Sequence, residues 1–202
     1  MLQIFHQGGP LMYPILFCSI LALAIFLERL WTFLRFRRGA AELVREVESL
    51  LESRRYAEAG AACQRDGSPI GRVLLAALRN AGYPRDQVKE VTEEAGRREV
   101  APLERYLGLL ATIATISPLL GLLGTVLGMI QAFNVIAAQG VGTPATLGGG
   151  ISQALITTAA GLAVAIPTIL LHKYLTGRLD RLVLQVEAWA LHIVDLLGKP
   201  EG

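Results

Sequence analysis

The chain has 202 residues, a hydrophobic content of 52% and a mean hydropathy of +0.46. Its 19 basic and 17 acidic residues leave a formal net charge of only +2. Residues 36–101 hold 12 basic and 11 acidic residues, which excludes the basic patch typical of nucleic-acid binding. This composition predicts a small integral membrane protein rather than a soluble domain.

The first apolar segment, Leu11–Leu27, is about long enough to form a membrane helix within residues 1–31. The alternative is a cleaved signal peptide, because the triplet Ala22–Ala24 resembles a cleavage site. Signal peptides carry basic residues before the apolar core, and residues 1–10 contain no Lys or Arg. The retained helix is therefore the favoured interpretation.

Residues 32–105 carry mixed charges and three helical patterns. Apolar positions recur at helical spacing over Ala40–Tyr56, which predicts an amphipathic helix. Pro69 is well placed to begin a second helix, and a third is expected from Arg85 towards the next apolar segment. This third helix is supported by two charge pairs in the favourable i, i+4 order, Glu93 with Arg97 and Glu94 with Arg98.

Residues 106–172 contain no Asp, Glu, Lys or Arg, and these 67 positions far exceed the roughly 20 needed for one helical span. We expect an all-α protein with three transmembrane helices. The second and third spans and the segments after them are 106–136 (span), 137–149 (connection), 150–172 (span) and 173–202 (C-terminal helix). Because Lys and Arg concentrate on the cytoplasmic side, the N-terminus and the connection are predicted to be periplasmic, and the charged domain and C-terminus cytoplasmic.

Small residues and prolines interrupt both of these spans. Helices in lipid associate closely through small residues, so the pattern predicts tight packing within one chain or between copies. Each proline removes one backbone hydrogen bond, and both a gentle bend and a gating hinge remain open as its role. The positions are Pro118, Gly121, Gly124 and Gly128 in the second span, and Thr157, Gly161, Ala165 and Pro167 in the third.

Two hydroxyls, those of Thr125 and Thr158, are expected at similar depth, about 17 and 12 Å from the outer ends of their spans. They could line a narrow wet path, or each could simply bond to a carbonyl of its own helix. Neither span contains an acid, so a proton that crosses here needs a titrating group from another chain. No catalytic, metal-binding or cofactor-binding cluster is visible in the sequence, and no enzyme activity is predicted.

The segments SPLLGLLGTVLGM (117–129) and GGISQALITTAAGLAVAIP (149–167) resemble the ExbB/TolQ/MotA proton-channel family, most closely its ExbB/TolQ branch. The resemblance implies an inner-membrane pentamer around a dimer of single-span ExbD/TolR-like partners, whose membrane aspartate carries the proton. Thr125 and Thr158 then fall on positions that face the pore, and the glycines are expected to let helices of several subunits close into a ring. The implied output is envelope work powered by the proton motive force, through a TonB- or TolA-like protein.

Gln153 departs from this resemblance, because ExbB and TolQ proteins often have Glu at that position. Either a titratable group near the outer pore mouth is dispensable, which is favoured, or this protein conducts differently. A non-conducting scaffold for envelope proteins is the alternative function. A flagellar stator is disfavoured, because MotA-like proteins have four spans and this sequence predicts three.

Overall fold

The computed structural model describes residues 2–37, 39–139 and 144–197, and every regular element within them is an α-helix. Three of these helices are long and apolar enough to cross a membrane, which confirms the predicted all-α fold with three candidate spans. The helices in chain order are α1 (Leu2–Gln7), α2 (Met12–Arg37), α3 (Ala40–Glu52), α4 (Tyr56–Asp66), α5 (Pro69–Arg79), α6 (Arg85–Glu104), α7 (Leu107–Gln139) and α8 (Pro144–Leu197). The candidate spans lie in α2, α7 and α8.

The chain divides into two compact units, which we call the membrane unit and the helical domain. The membrane unit comprises the residues up to Glu28 together with Tyr106–Leu175. The helical domain comprises Arg29–Arg105 and the residues from Thr176 onward.

The membrane unit exposes large apolar side chains and buries small ones. Phe17 and Phe133 are 66% and 68% exposed, whereas Gly121, Gly161 and Ala165 are buried. Keeping apolar surface in water costs roughly 25 cal/mol per Å². Such a surface therefore suits lipid or the apolar faces of other helices.

The helices on either side of the predicted connection extend beyond the bounds 136 and 150 given for the spans. Helix α7 continues to Gln139 and α8 begins at Pro144, so Gly148–Gly150 lie inside a helix. A Cβ added at Gly150 would lie 2.6 Å from the carbonyl oxygen of Gly128, so α8 packs closely on α7 here. This contact outweighs the low helix propensity of glycine. Positions 140–143 of the predicted connection lie outside the described residues.

Helix α8 does not end where the charged C-terminal segment begins. The sequence predicts a span over 150–172 and a C-terminal helix from residue 173, and α8 runs from Pro144 to Leu197 without a break between them. Thr176 and Gly177 follow the change from apolar to charged composition at Lys173, and the helix continues through both. The composition becomes charged at Lys173 while the helix continues. Residues 198–202 of the predicted C-terminal helix lie outside the described part of the chain.

The helical domain contains α3 to α6 and the C-terminal part of α8. Gly67 has a φ of 59° and ends α4 in the left-handed conformation. The Ser68 hydroxyl accepts a hydrogen bond of 3.0 Å from the Gly71 amide, and Pro69 occupies the first turn of α5, as the sequence predicts. Helix α4 was not predicted, because its small residues give a weak pattern. The domain core contains fully buried apolar side chains from α3, α4, α5 and α8, namely Val47, Ala59, Val73, Ala77 and Ile193.

Several ion pairs lie on the surface of the helical domain. Of the two predicted pairs, Glu93 and Arg97 lie 3.7 Å apart, and Glu94 pairs with Arg98 at closer range. Two further contacts tie α8 to the other helices of the domain: Arg85 with Asp195 at 2.6 Å, and Glu48 with His192 at 2.8 Å. Exposed pairs contribute at most about 1 kcal/mol each, so the apolar core dominates stability.

Arg29 is buried, with 6% of its surface exposed, although the sequence marks it only as the end of an apolar segment. Its guanidinium Nη1 donates to the carbonyl oxygens of Pro102 (2.9 Å) and Leu103 (3.2 Å). The last carbonyls of a helix lack partners within that helix. Arg29 therefore caps the C-terminal end of α6 and holds it against α2.

Cys63 is expected to react slowly with thiol reagents. Burial, followed by the nearby Asp66 and Glu46 carboxylates, raises the pKa of its thiol from 9.0 to about 11. Because the thiolate is the reactive form, this shift alone lowers the reaction rate at pH 8 by about a hundredfold. Unfolding should restore the ordinary pKa and rate, so the thiol contributes stability that is lost as the pH rises from about 9 to 11. Maleimide labelling of the Cys18→Ala variant, folded and in denaturant, measures the difference.

Candidate functional site

The contact between α7 and α8 is built from glycines. A Cβ added at Gly161 would lie 2.5 Å from the Ser117 carbonyl oxygen, and one added at Gly121 would lie 3.0 Å from Cα of Thr158. At Gly124 the added atom would meet the Thr157 side chain at 2.5 Å. The two backbones therefore approach as closely as small-residue stripes allow in lipid.

The glycines of α7 and α8 could pack helices within one chain or helices of neighbouring copies. The sequence leaves open packing within one chain or between copies, and the resemblance favours a ring of several subunits. In the structure, Gly121, Gly124, Gly128 and Gly161 all pack between α7 and α8 of the same chain. A face filled by the chain's own helix is not free for a neighbouring copy, and the ring of several subunits stays a prediction.

The side chain of Thr157 is almost completely buried, with 1% exposed. Its hydroxyl lies 2.8 Å from the carbonyl oxygens of Gly8 and Gln153, and donates its one proton to this pair. The bond to Gly8 joins the turn between α1 and α2 to the N-terminal third of α8. Gly9, with a φ of 71°, makes this turn and leaves no room for a side chain beside Gln153. Thr157 thus anchors the N-terminal turn.

Replacing Thr157 by valine is expected to loosen this turn without unfolding the chain. Valine keeps the volume but leaves the Gly8 carbonyl without its donor, at a cost of about 1 kcal/mol. Thermal unfolding in detergent measures the loss, and hydrogen exchange of the amides of α1 should increase. Thr115→Val is the matched control, since Thr115 is exposed and bonds only to Ala111 of its own helix. Equal stability of both variants would contradict the anchoring role.

Thr158 and Thr125 are both partly exposed, and their hydroxyls find different acceptors. The Thr158 hydroxyl lies 3.0 Å from the Gly121 carbonyl oxygen on α7 and 3.1 Å from that of Ala154 on its own helix. The Thr125 hydroxyl donates to the Leu122 carbonyl at 2.6 Å. Thr158 is therefore brought together with the glycine stripe, and Thr125 bonds within its own turn.

Pro118 and Pro167 lie inside α7 and α8, which continue through both positions. A buried hydroxyl stands next to each proline. Ser117 and Thr168 each donate to the carbonyl four residues earlier, at 2.8 and 2.7 Å. These bonds add donors close to the carbonyls that the prolines leave without an amide partner. Whether either proline acts as a bend or as a hinge stays a prediction.

Gln153 lines a polar cleft at the end of the membrane unit where α7 ends and α8 begins, which we call the loop end. The cleft has a volume of about 410 Å³. Its polar lining comes from α1, α7 and α8, namely His6, Gln7, Gln131, Ser152 and Gln153. Sequence reasoning identified Gln153 but assigned no role to His6, because nothing in the spacing brings residue 6 to residue 153. The Gly8–Pro10 turn was the available signal that the chain folds back there.

Comparisons with known proteins assign the family. A sequence profile of the MotA/TolQ/ExbB proton channel family matches residues 65–188. The putative biopolymer transport protein ExbB-like 1 of Synechocystis sp. is 38% identical over 185 residues, covering 88% of this chain and 71% of that protein. Biopolymer transport protein exbB1 of Vibrio cholerae is 30% identical over 189 residues, covering 92% and 83%. The Tol-Pal system protein TolQ of Pseudomonas aeruginosa is 39% identical over 106 residues, covering 50% and 46%.

These matches confirm the predicted resemblance. They cover the residues that form the α7–α8 contact, including the glycines, Thr125 and Thr158, and they extend into the helical domain. Together with three helices able to cross a membrane, they make the chain a multi-pass membrane protein. The chain with this glycine-packed helix pair therefore belongs to the MotA/TolQ/ExbB proton channel family.

Proposed function

We propose that this chain is the stationary subunit of a proton channel in the bacterial inner membrane. Five copies surround a dimer of ExbD/TolR-like single-span partners, and proton flow drives work on the cell envelope. The spans are residues 106–136 and 150–172 with the apolar part of α2; the N-terminus is periplasmic, and residues 32–105 and the C-terminus are cytoplasmic. Relatives named for biopolymer transport and the Tol-Pal system support an output through a TonB- or TolA-like protein.

The observation that carries this proposal is the absence of ionisable side chains from the sequence of α7, and from that of α8 before His172. Proton pathways through membranes generally use an ionisable residue within the bilayer. A channel subunit with none needs a partner that brings a carboxylate into the pore. Hydroxyls such as those of Thr125 and Thr158 can bind the charged carboxylate and release it once a proton neutralises it, which lets the partner turn.

The outward surface of α7 supports contacts with further copies. Leu119, Leu122 and Phe133 are 57%, 58% and 68% exposed in the single chain. Because the glycine stripe is used within the chain, neighbouring copies would meet through such larger side chains. Exposed apolar surface of this kind suits both protein contacts and lipid.

A non-conducting scaffold is the second candidate, and one observation favours it. Both threonine hydroxyls already have acceptors inside the chain, Leu122 for Thr125 and Gly121 with Ala154 for Thr158. A hydroxyl satisfied in this way can serve packing alone. Proton flux distinguishes the two functions, because only the channel conducts.

The test uses the complex purified from native membranes through a tag on this chain. Native mass spectrometry should give five copies with two copies of a single-span protein that has an aspartate in its span. In liposomes loaded with a pH-sensitive dye, the complex should conduct protons, and replacing that aspartate by asparagine should stop conduction. Purified complex that conducts no protons would support the scaffold, and a solitary chain would contradict both assemblies.

A further inference from the structure

The polar cleft at the loop end contains one group that can carry a proton near neutral pH. Helix α1 brings His6 to it, while α7 contributes Gln131 and α8 contributes Ser152 and Gln153. Amides and hydroxyls orient water but do not titrate near pH 7, whereas the imidazole is the side chain that ordinarily does. The cleft thus combines a titrating group with neutral groups that can hold water.

The surroundings of His6 contain few other ionisable groups. Helix α7 has none, and α8 has none before His172. On α2 the ionisable residues are Tyr13, Cys18, Glu28 and the arginines at the far end of the helix. Tyr13 belongs to this neighbourhood, because its ring packs edge-on against that of Phe5 with centroids 5.3 Å apart. Among the side chains that line the cleft, His6 contributes the one imidazole.

The position of α1 is fixed by the turn that follows it. The Gly8 carbonyl oxygen accepts a hydrogen bond from the buried hydroxyl of Thr157, and Gly9 packs against the side-chain amide of Gln153. A short helix held at its C-terminal end in this way keeps His6 over the cleft. Its imidazole is exposed and so can exchange protons with water.

From this geometry we infer that His6 is a proton-transfer residue at the loop-end mouth of the channel, in the cleft that it shares with Gln153. The inference rests on the proposed function. The neutral imidazole takes a proton from water outside and becomes imidazolium. It then releases that proton to water held by Gln131, Ser152 and Gln153, and returns to the neutral state. No bond other than those to the proton forms or breaks.

The first test compares proton flux by the purified complex in liposomes between pH 5 and 8. His6→Gln keeps a polar side chain of similar length but cannot titrate. Flux should fall by about tenfold, because positioned proton donors contribute about 10²- to 10⁴-fold and water in an open cleft replaces part of this. The dependence of flux on pH across the range of histidine ionisation should flatten as well. Tyr13→Phe, which keeps the ring and removes only the hydroxyl, should conduct as the wild type does.

The second test places a carboxylate in the same cleft. His6→Gln/Gln153→Glu should regain most of the lost flux, because Glu at position 153 can transfer protons where His6 no longer does. A readout independent of conduction is available, since the chain has only three histidines. In carbon-labelled protein in nanodiscs, Gln153→Glu should move the NMR titration midpoint of His6 upward by at least about half a pH unit, through the added negative charge.

The outcomes separate the two levels of the proposal. Wild-type complex without flux contradicts the proposed function, and the role of His6 falls with it. If His6→Gln changes neither the size of the proton flux nor its pH dependence, the role of His6 is overturned and the proposed channel function stands. An unmoved His6 midpoint in Gln153→Glu overturns it too, because the two side chains would then not share one cleft.

Discussion

Replacing Gly161 by alanine is expected to destabilise the membrane unit strongly. The added Cβ would lie 2.5 Å from the Ser117 carbonyl oxygen and 3.1 Å from Cα of Gly121. Both are backbone atoms of α7, so no side-chain rotation can make room. The helices must separate, and the Thr158 hydroxyl then moves away from the Gly121 carbonyl that it bonds at 3.0 Å.

The expected cost is at least about 1–3 kcal/mol, the usual penalty of overpacking, and loss of the neighbouring contacts adds to it. Natural proteins are stable by only about 5–15 kcal/mol, so a large part of the folding free energy is lost. The measurements are the yield of monodisperse protein in mild detergent and its thermal unfolding, followed by circular dichroism. Gly161→Ala should give a low yield and a clearly lower unfolding midpoint.

Gly108→Ala provides the matched control on α7. A Cβ at Gly108 would meet no atom within 4 Å, so the same chemical change occurs in open space. Alanine is the better helix former by about 1 kcal/mol, and this variant should be as stable as the wild type or more so. If Gly161→Ala were as stable as Gly108→Ala, the close approach of the two helices would be contradicted.

Composition and periodicity predict the helices of this chain well, because lipid solvation leaves a strong signal. The uncharged stretch 106–172 can satisfy its backbone in a membrane only as helices, and α7 and the first part of α8 account for it. Pro69 and the break before it likewise predict the start of α5 from local chemistry alone. The turn expected at 139–144 lies between the end of α7 and the start of α8, while the close contact that keeps Gly150 helical is encoded by no local rule.

Contacts between distant parts of the chain could not be predicted from the sequence. The small-residue stripe predicts close packing, but only the three-dimensional structure shows that Gly124 faces Thr157 of the same chain. Arg29 and Thr157 bond to backbone carbonyls 73 and 149 residues away, and carbonyls have no sequence signature. Nothing in the sequence brings His6 to Gln153, since the turn that does so becomes visible only in three dimensions.

Replacing Thr158 by valine is expected to abolish conduction while leaving the assembly intact. Valine has the shape of threonine, so the contact between α8 and Gly121 keeps its packing. The lost hydrogen bond costs about 0.6–1 kcal/mol, because Ala154 still accepts the backbone amide of residue 158 in the helix. The complex should therefore purify with the same stoichiometry and nearly the same unfolding midpoint.

Proton flux should respond much more strongly than stability. If the hydroxyl binds the partner's carboxylate in the pore, its removal takes away the polar contact that holds the charged state. Removing one positioned donor to a negative charge costs about 10²- to 10³-fold in enzymes, which would bring flux to background. Thr158→Ser restores the hydroxyl without the methyl group, and should recover most of the flux.

The wild type and the two variants together distinguish a pore hydroxyl from a packing threonine. If the hydroxyl lies in the pore, the Thr158→Ser complex should conduct protons and the Thr158→Val complex should not, and both should assemble equally well. If Thr158 serves packing alone, flux does not follow the hydroxyl, and Thr158→Ser should be the less stable variant because serine loses a methyl group that valine retains. Full flux in Thr158→Val would remove this residue from the proton path, and would leave the bond to Gly121 as its whole contribution.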